Sequence, residues 1–110
     1  MRKRSKPKSL EAGRPLPTTE LADLTEAMMT LAEVTRLGSL TRAARSLETT
    51  TSAVSKRLAR LEDRLGVRLL ERTTRRIALT EADGALNARA LRILGELADA
   101  EEEVTLHADA

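Results

Sequence analysis

Hydroxylated and basic side chains occupy neighbouring positions in the middle of the chain. In order along the sequence, they are Thr50, Thr51, Ser52, Ser55, Lys56 and Arg57. Small hydroxyl groups let the end of a helix approach base edges closely, and lysine and arginine bind phosphates or base acceptors. These positions are therefore candidate contacts to duplex DNA, with a helix near 50–65 lying in the major groove.

A second basic group lies further along the chain, inside the segment 67–79. Apolar and charged positions alternate on both sides of a polar centre in this segment, which predicts a short β-hairpin. The tip of the hairpin would carry Thr74, Arg75 and Arg76. Guanidinium groups at 73–76 can lie beside the DNA backbone or in a minor groove.

The composition removes most other chemistries. The 110 residues include no Cys, Phe, Trp or Tyr, and their single His is His107. Without Cys, the chain cannot form a Cys-based metal site. A single His near the end leaves no base to activate a hydroxyl nucleophile, and without aromatic residues there are no stacking platforms for single-stranded nucleic acid. The sequence therefore predicts no enzyme, no metal site and no cofactor. Because no apolar run reaches the roughly 20 residues of a membrane span, we expect a cytoplasmic, nucleoid-associated protein.

Charge is segregated along the chain. Residues 1–15 carry a net charge of +5 and residues 36–80 carry +7, whereas residues 16–35 and 81–110 carry −4 and −6. A basic centre between acidic flanks is typical of a surface that faces a polyanion. The same pattern is compatible with ordinary solvated charge, so the charges alone leave both interpretations open.

The elements that position these groups are predicted to be mainly α. The chain contains 19 Leu and 17 Ala, which favour helix. Apolar spacings of three and four predict a helix near 20–36, a short helix after Ser39 and a third helix ending at Gly66. This three-helix core with a hairpin is a winged helix-turn-helix, placed at 20–80. It would follow a disordered basic tail at 1–19.

A long final helix is predicted over 81–106, before a short disordered tail at 107–110. Thr80 and Asp83 resemble a capping box at its beginning. Apolar positions then recur close to a heptad pattern, which predicts a homodimer through this helix. The candidate dimerisation residues are Leu86, Ala90, Ile93, Leu97, Ala100 and Val104.

Several motifs occur in a fixed order across this region. They are LGSLTRAA at 37–44, SAVSKRL at 52–58, LE at 61–62, LG at 65–66, LLERTTRR at 69–76 and LTEA at 79–82. Over residues 24–84 the series resembles the N-terminal DNA-binding domain of LysR-type transcriptional regulators. The resemblance implies that 50–57 begin the recognition helix, that 73–76 belong to the wing, and that the long helix holds a homodimer on an inverted-repeat site. It also implies an effector-binding domain, which the 110 residues do not include.

Departures from the family pattern concern the core and the recognition helix. Leu31, Leu40 and Leu70 stand where family members usually carry Phe, which reduces the volume of the core. Thr51 replaces a frequent Gln and Lys56 a frequent Arg, so two planar hydrogen-bonding groups are lost. We predict sequence-specific binding of double-stranded DNA as a transcriptional regulator. The alternative is a helical protein-interaction module that works through the 81–106 helix.

Overall fold

Four helices and one hairpin make up the fold. The computed structural model describes residues 13–15, 18–72 and 77–108, without the side chain of Arg72. In chain order the elements are α1 (Thr18–Leu37), α2 (Leu40–Ser46), α3 (Thr51–Leu65), β1 (Leu70–Arg72), β2 (Ile77–Leu79) and α4 (Glu81–Ala108). The predicted mainly α fold, a winged helix-turn-helix followed by a long helix, is confirmed.

Local capping signals set where the short helices begin and end. Ser39 Oγ accepts a hydrogen bond from Arg42 N at 3.1 Å, and Thr50 Oγ1 accepts one from Ala53 N at 3.0 Å. Each bond satisfies a backbone N–H that has no partner within its helix. Gly66 ends α3 in the left-handed conformation, with φ of 68°, which glycine adopts without steric cost.

The core lies between α1, α2, α3 and the base of the hairpin. Its fully or nearly fully buried side chains are Ala27, Leu31, Val34, Ala43, Ala44, Val54, Leu58, Leu61, Leu69 and Leu70. The adjacent alanines of α2 let this helix pack closely, because they place no bulk between the backbones. Leu31 and Leu70, two of the three leucines at which the resemblance implies Phe, are both buried.

The hairpin is antiparallel and short. Leu70 pairs with Leu79, and Arg72 pairs with Ile77. Leu69, just before β1, is buried together with Leu70, so the apolar alternation predicted from Leu69 onward is broken where the hairpin joins the core. The predicted hairpin is confirmed, but its tip at 73–76 lies outside the described residues.

The two long helices extend further than predicted. Thr18 and Thr19 are helical residues of α1, and His107 and Ala108 are helical residues of α4. They are therefore not part of the terminal tails predicted at 1–19 and 107–110. Apart from 13–15, the remainder of both tails lies outside the described residues.

The beginning of α4 is fixed by bonds to α1 and to the hairpin. Thr80 Oγ1 accepts from Asp83 N at 3.3 Å, as a capping residue does, but the Asp83 carboxylate does not complete the predicted box. Asp83 instead accepts from Thr35 Oγ1 of α1 at 3.2 Å, while Thr80 N donates to Leu69 O at 3.1 Å. Burial raises the pKa of Asp83, and the bond from Thr35 opposes that rise.

One predicted dimerisation residue belongs to the interior of the chain. Ala90 is completely buried within the monomer, so it offers no surface to a second copy. Asp83 and Ala90 lie seven residues apart on one face of α4, and this face packs against α1. The apolar surface of α4 is thus wider than the predicted seam, and α1 covers the flank that includes Ala90.

Candidate nucleic-acid interface

The face of α3 that points away from the core carries the predicted recognition residues. Val54, Leu58 and Leu61 are buried on one side of the helix. On the outward side, Ser52 and Lys56 are exposed at a spacing of four residues, in the middle of the outer face. The structure therefore brings a hydroxyl and an ammonium group together on an open helical surface, near the N-terminal end of α3.

Thr51 and Ser55 lie beside this outer face. Thr51 is exposed in the first turn of α3, and Ser55 is half-buried one turn later. Thr50 has a different part, because its hydroxyl oxygen caps the helix by accepting from Ala53 N. Its role is therefore first to fix the N-terminal end of α3, and any contact to DNA would be additional.

Arg57 lies on the flank of α3, beside the outer face that carries Ser52 and Lys56. Its Nε forms an ion pair with Glu26 Oε1 of α1 at 3.1 Å, and its side chain retains 30% exposure. A residue one position after Lys56 is rotated by about 100° around the helix, which turns it toward α1. Arg57 is thus directed to an internal partner, Glu26, which lies 31 positions earlier in the chain.

The turn between α2 and α3 sets the angle at which α3 is presented. Glu48 has φ of 56°, in the left-handed region that favours glycine. Two backbone bonds close the turn: Glu48 N donates to Arg45 O at 3.2 Å, and Thr49 N donates to Ala44 O at 2.9 Å. Because these bonds hold the chain in place, a strained residue is tolerated at the turn.

Glu62 connects the recognition helix to the hairpin. Its Oε2 accepts from Leu69 N at 2.8 Å and from Leu70 N at 3.3 Å, just where β1 begins. Thr80 Oγ1 donates to Arg68 O at 2.6 Å and closes the other side of the hairpin base. The base of the wing is therefore held against α3, although Thr74, Arg75 and Arg76 lie outside the described residues.

This function of Glu62 is not apparent from the sequence. The residue follows Leu61 in a helical pattern, and nothing local distinguishes it from a solvent-exposed glutamate. Its partners are backbone N–H groups, which leave no signature in the sequence. One feature of the sequence could have indicated it: Glu62 lies one turn before Gly66, which ends α3, so its carboxylate can reach the backbone that follows.

Two exposed basic residues of α2, Arg42 and Arg45, are further candidate DNA contacts that were not among the predicted ones. Arg42 and Arg45 are exposed at a spacing of three residues, while Ala43 and Ala44 between them are buried. They therefore lie on the outer side of the helix that precedes the recognition helix. The i, i+3 spacing of two arginines in a short helix was the signal that could have revealed them.

Glu33 anchors α2 to α1. It accepts from Arg36 Nε at 2.7 Å and from the Ser46 hydroxyl at the end of α2. Hydrogen bonds from Arg36 and from Ser46 lower the pKa of Glu33 to about 2. The carboxylate is therefore ionised at neutral pH, and it holds the end of α2 that leads into the turn.

An exposed apolar stripe remains on α4. Ile93, Leu97, Ala100 and Val104 are all exposed, whereas Leu86 is half-buried against the core. Met29 of α1 is exposed as well, and it lines one groove together with Leu97. Four of the six predicted dimerisation residues thus form an uncovered surface, and this surface continues onto α1.

The described part of the chain contains neither a candidate metal site nor a membrane span. Among residues 13–15, 18–72 and 77–108, no three His, Asp or Glu side chains are grouped closely enough to hold a metal ion. No helix in the same ranges combines the length and the apolar character that crossing a membrane requires.

Comparison with known proteins places these features in a family. Residues 25–82 match the family described as "Bacterial regulatory helix-turn-helix protein, lysR family". The transcriptional regulator CrgA of Neisseria meningitidis serogroup C is 47% identical over 79 residues, which are 72% of this chain and 26% of CrgA. The transcriptional activator AaeR of Escherichia coli K12 is 42% identical over 77 residues, 70% of this chain and 25% of AaeR.

The fold also matches a solved protein–DNA complex. The crystal structure of a CbnR_DBD–DNA complex superposes with a TM-score of 0.68 at 32% identity, covering 78% of this chain and 98% of that one. The chain spans about a quarter of the length of the curated relatives it matches. The family match covers more than half of the 110 residues. The chain therefore belongs to the lysR family of bacterial regulatory helix-turn-helix proteins.

Proposed function

We propose that this chain is the DNA-binding module of a LysR-type transcriptional regulator, with α3 lying in the major groove of double-stranded DNA. The observation that carries the proposal is the outer face of α3, where Ser52 and Lys56 are exposed and the wing base is held alongside by Glu62. A major groove admits one helix, and the residues near its N-terminal end contact base edges. Similarity to the CbnR_DBD–DNA complex supports binding to DNA.

Each candidate contact residue has a distinct part in this proposal. Ser52 and Ser55 read base edges, since they lie in the first turns of α3, and Lys56 binds a phosphate or a base acceptor. Arg42 and Arg45 bind phosphates from the outer side of α2, which precedes the turn. Thr74, Arg75 and Arg76 at the hairpin tip bind the backbone or a minor groove, as the family resemblance implies.

The module acts as a homodimer in this proposal. Ile93, Leu97, Ala100 and Val104 form an exposed apolar surface along most of the second half of α4. A continuous apolar surface of this kind marks a contact with a partner. A second copy related by a two-fold axis would cover it and would present two recognition helices to an inverted-repeat site.

Charge along α4 favours an antiparallel pairing of the two copies. Arg89, Glu96 and Glu103 are exposed at a seven-residue spacing, on the flank of the stripe that α1 leaves open. In a parallel pair each of these side chains would face the same residue of the second copy, so that like charges would lie together. In an antiparallel pair the segment of each helix that contains Arg89 approaches the acidic segment of the other helix that contains Glu103.

The regulator needs no catalytic chemistry for this function. Binding of duplex DNA uses hydrogen bonds and charge, so we propose that the chain is not an enzyme and that it acts in the cytoplasm on the chromosome. The relatives are about four times longer than the matched segment, and the signal that controls DNA binding would enter through the remainder of such a protein.

Fluorescence anisotropy with a labelled duplex tests the proposed interface. Lys56→Gln should weaken binding and lower the slope of log K against log salt by about 0.9, because one phosphate contact is lost. The matched control is Arg92→Gln, which removes one exposed charge from α4 and should leave the slope unchanged. Equal slopes for all three proteins would remove Lys56 from the interface.

The alternative interaction module is distinguished in the same titration. Such a protein would work through the acidic end of α4, where Glu101, Glu102 and Glu103 are exposed. It would show no affinity for duplex DNA at any salt concentration. A DNA-binding module must bind more tightly as the salt concentration falls.

A further inference from the structure

A charged cleft separates α1 from one flank of α3. It has a volume of about 260 Å³, and α3 contributes Arg57, Arg60 and Arg64 to its wall. α1 contributes Asp23 and Glu26 on the opposite side. The recognition helix thus has a row of arginines along one flank, and this row faces carboxylates of the same chain rather than solvent alone.

One pair across this cleft is in direct contact. Arg57 Nε and Glu26 Oε1 are 3.1 Å apart, and the side chain of Glu26 is 62% exposed. An ion pair with so much water around it is weak, because solvent screens the charges. The phosphate backbone of a duplex carries a dense negative charge, so it can compete with Glu26 for the guanidinium group.

We propose that Glu26 is a positioning residue that holds Arg57 away from DNA phosphates and thereby lowers the affinity of the module for nonspecific duplex. The inference rests on the proposed function, and it concerns how strongly the same surface of α3 binds DNA. Without Glu26, Arg57 lies one residue after Lys56 and becomes available as one more phosphate contact. Nonspecific binding consists essentially of such contacts, so it is the kind of binding that Glu26 suppresses most.

The other charges in the cleft do not remove this effect. Arg64 Nη1 donates to the backbone oxygen of Glu20 at 3.3 Å, which directs it to the beginning of α1. Asp23 and Arg60 line the cleft, and no ion pair between them is found among the described residues. Glu26 is therefore the carboxylate that competes directly with DNA phosphates for the guanidinium group of Arg57.

The test measures anisotropy of a labelled duplex of random sequence against salt concentration. Glu26→Gln should steepen the slope of log K against log salt by about 0.9, which corresponds to about eightfold tighter binding at 0.1 M salt when extrapolated from 1 M. Glu20→Gln is the matched control, because it removes the same charge from the same helix without touching Arg57. It should change the affinity much less.

A double-mutant cycle shows whether Glu26 acts through Arg57. In an Arg57→Gln background the gain from Glu26→Gln should disappear. The inference is overturned if the gain persists in that background, or if Glu26→Gln changes binding no more than Glu20→Gln. If the unmodified chain binds no duplex at any salt concentration, the proposed function itself is wrong. If the unmodified chain binds duplex and Glu26→Gln binds it equally well, only the role of Glu26 is wrong.

Discussion

Replacing Leu97 with Glu should dissociate the proposed dimer. Leu97 is 55% exposed in the monomer, in the middle of the apolar stripe of α4. Complete burial of a leucine side chain stabilises by about 1.5–3 kcal/mol, so covering the exposed half contributes about 0.8–1.5 kcal/mol per protomer. Symmetry doubles this to about 1.6–3 kcal/mol, which corresponds to roughly a 15- to 150-fold weaker dimer.

Leu91→Glu supplies the control for this substitution. Leu91 is also 55% exposed on α4, but it lies on a different side of the helix from the stripe. Both variants exchange the same residue types at the same exposure, so only their position relative to the stripe differs. Leu91→Glu should leave the association constant nearly unchanged.

Sedimentation equilibrium without DNA measures both effects, and circular dichroism checks that the helices are intact. The expected result is a dimer for the unmodified chain and for Leu91→Glu, with a monomer for Leu97→Glu. An unmodified chain that stays monomeric at high micromolar concentration would refute the reasoning. So would a Leu97→Glu variant that associates as strongly as Leu91→Glu.

Three further substitutions test the elements that position the interface. Glu62→Ala should lower the free energy of unfolding in urea by about 2 kcal/mol and weaken DNA binding, because two part-buried N–H groups lose a charged acceptor. Asp63→Ala, at the exposed neighbouring position, should change neither quantity. Equal effects of the two substitutions would show that Glu62 does not hold the base of the hairpin. Because the pKa of Glu33 is lowered from 4.5 to about 2, its ionised form stabilises the fold above pH 4.5 and this contribution is lost as the pH falls toward 2. Glu33→Gln should therefore cost about 1 kcal/mol at pH 7, and unfolding measured against pH should be less acid-sensitive in that window; an unchanged acid profile would contradict the assignment. Glu48→Gly should stabilise the protein by about 0.5–1 kcal/mol in thermal melts, because glycine relieves the left-handed conformation at φ of 56°, and a loss of stability would show that the Glu48 side chain has another role.

Features determined by a few neighbouring residues were predictable from the sequence. Ser39 and Gly66 were recognised as helix boundaries, since each acts on backbone groups within one turn of itself. The outward direction of Ser52 and Lys56 followed from the buried stripe of α3, because helical periodicity alone separates the two faces.

Features that depend on a distant partner were not predictable in the same way. The pairing of Arg57 with Glu26 depends on another helix, and the periodicity of α3 contains no information about that partner. The burial of Ala90 depends on which flank of α4 meets α1, and the wide apolar surface of α4 allowed more than one choice. Asp83 likewise bonds Thr35 rather than completing a local capping box, because α1 brings a hydroxyl group within reach.

Selection of duplexes from a random pool tests the central claim most directly. The unmodified chain and Ser52→Leu would each be used to capture DNA, and the recovered sequences compared with the starting pool. If α3 reads base edges as part of a dimer, the unmodified chain should enrich an inverted repeat with half-sites about one helical turn apart, and Ser52→Leu should lose that preference while remaining folded. Recovery of unenriched sequences by the unmodified chain, or the same enriched repeat from both proteins, would contradict the placement of α3 in the major groove.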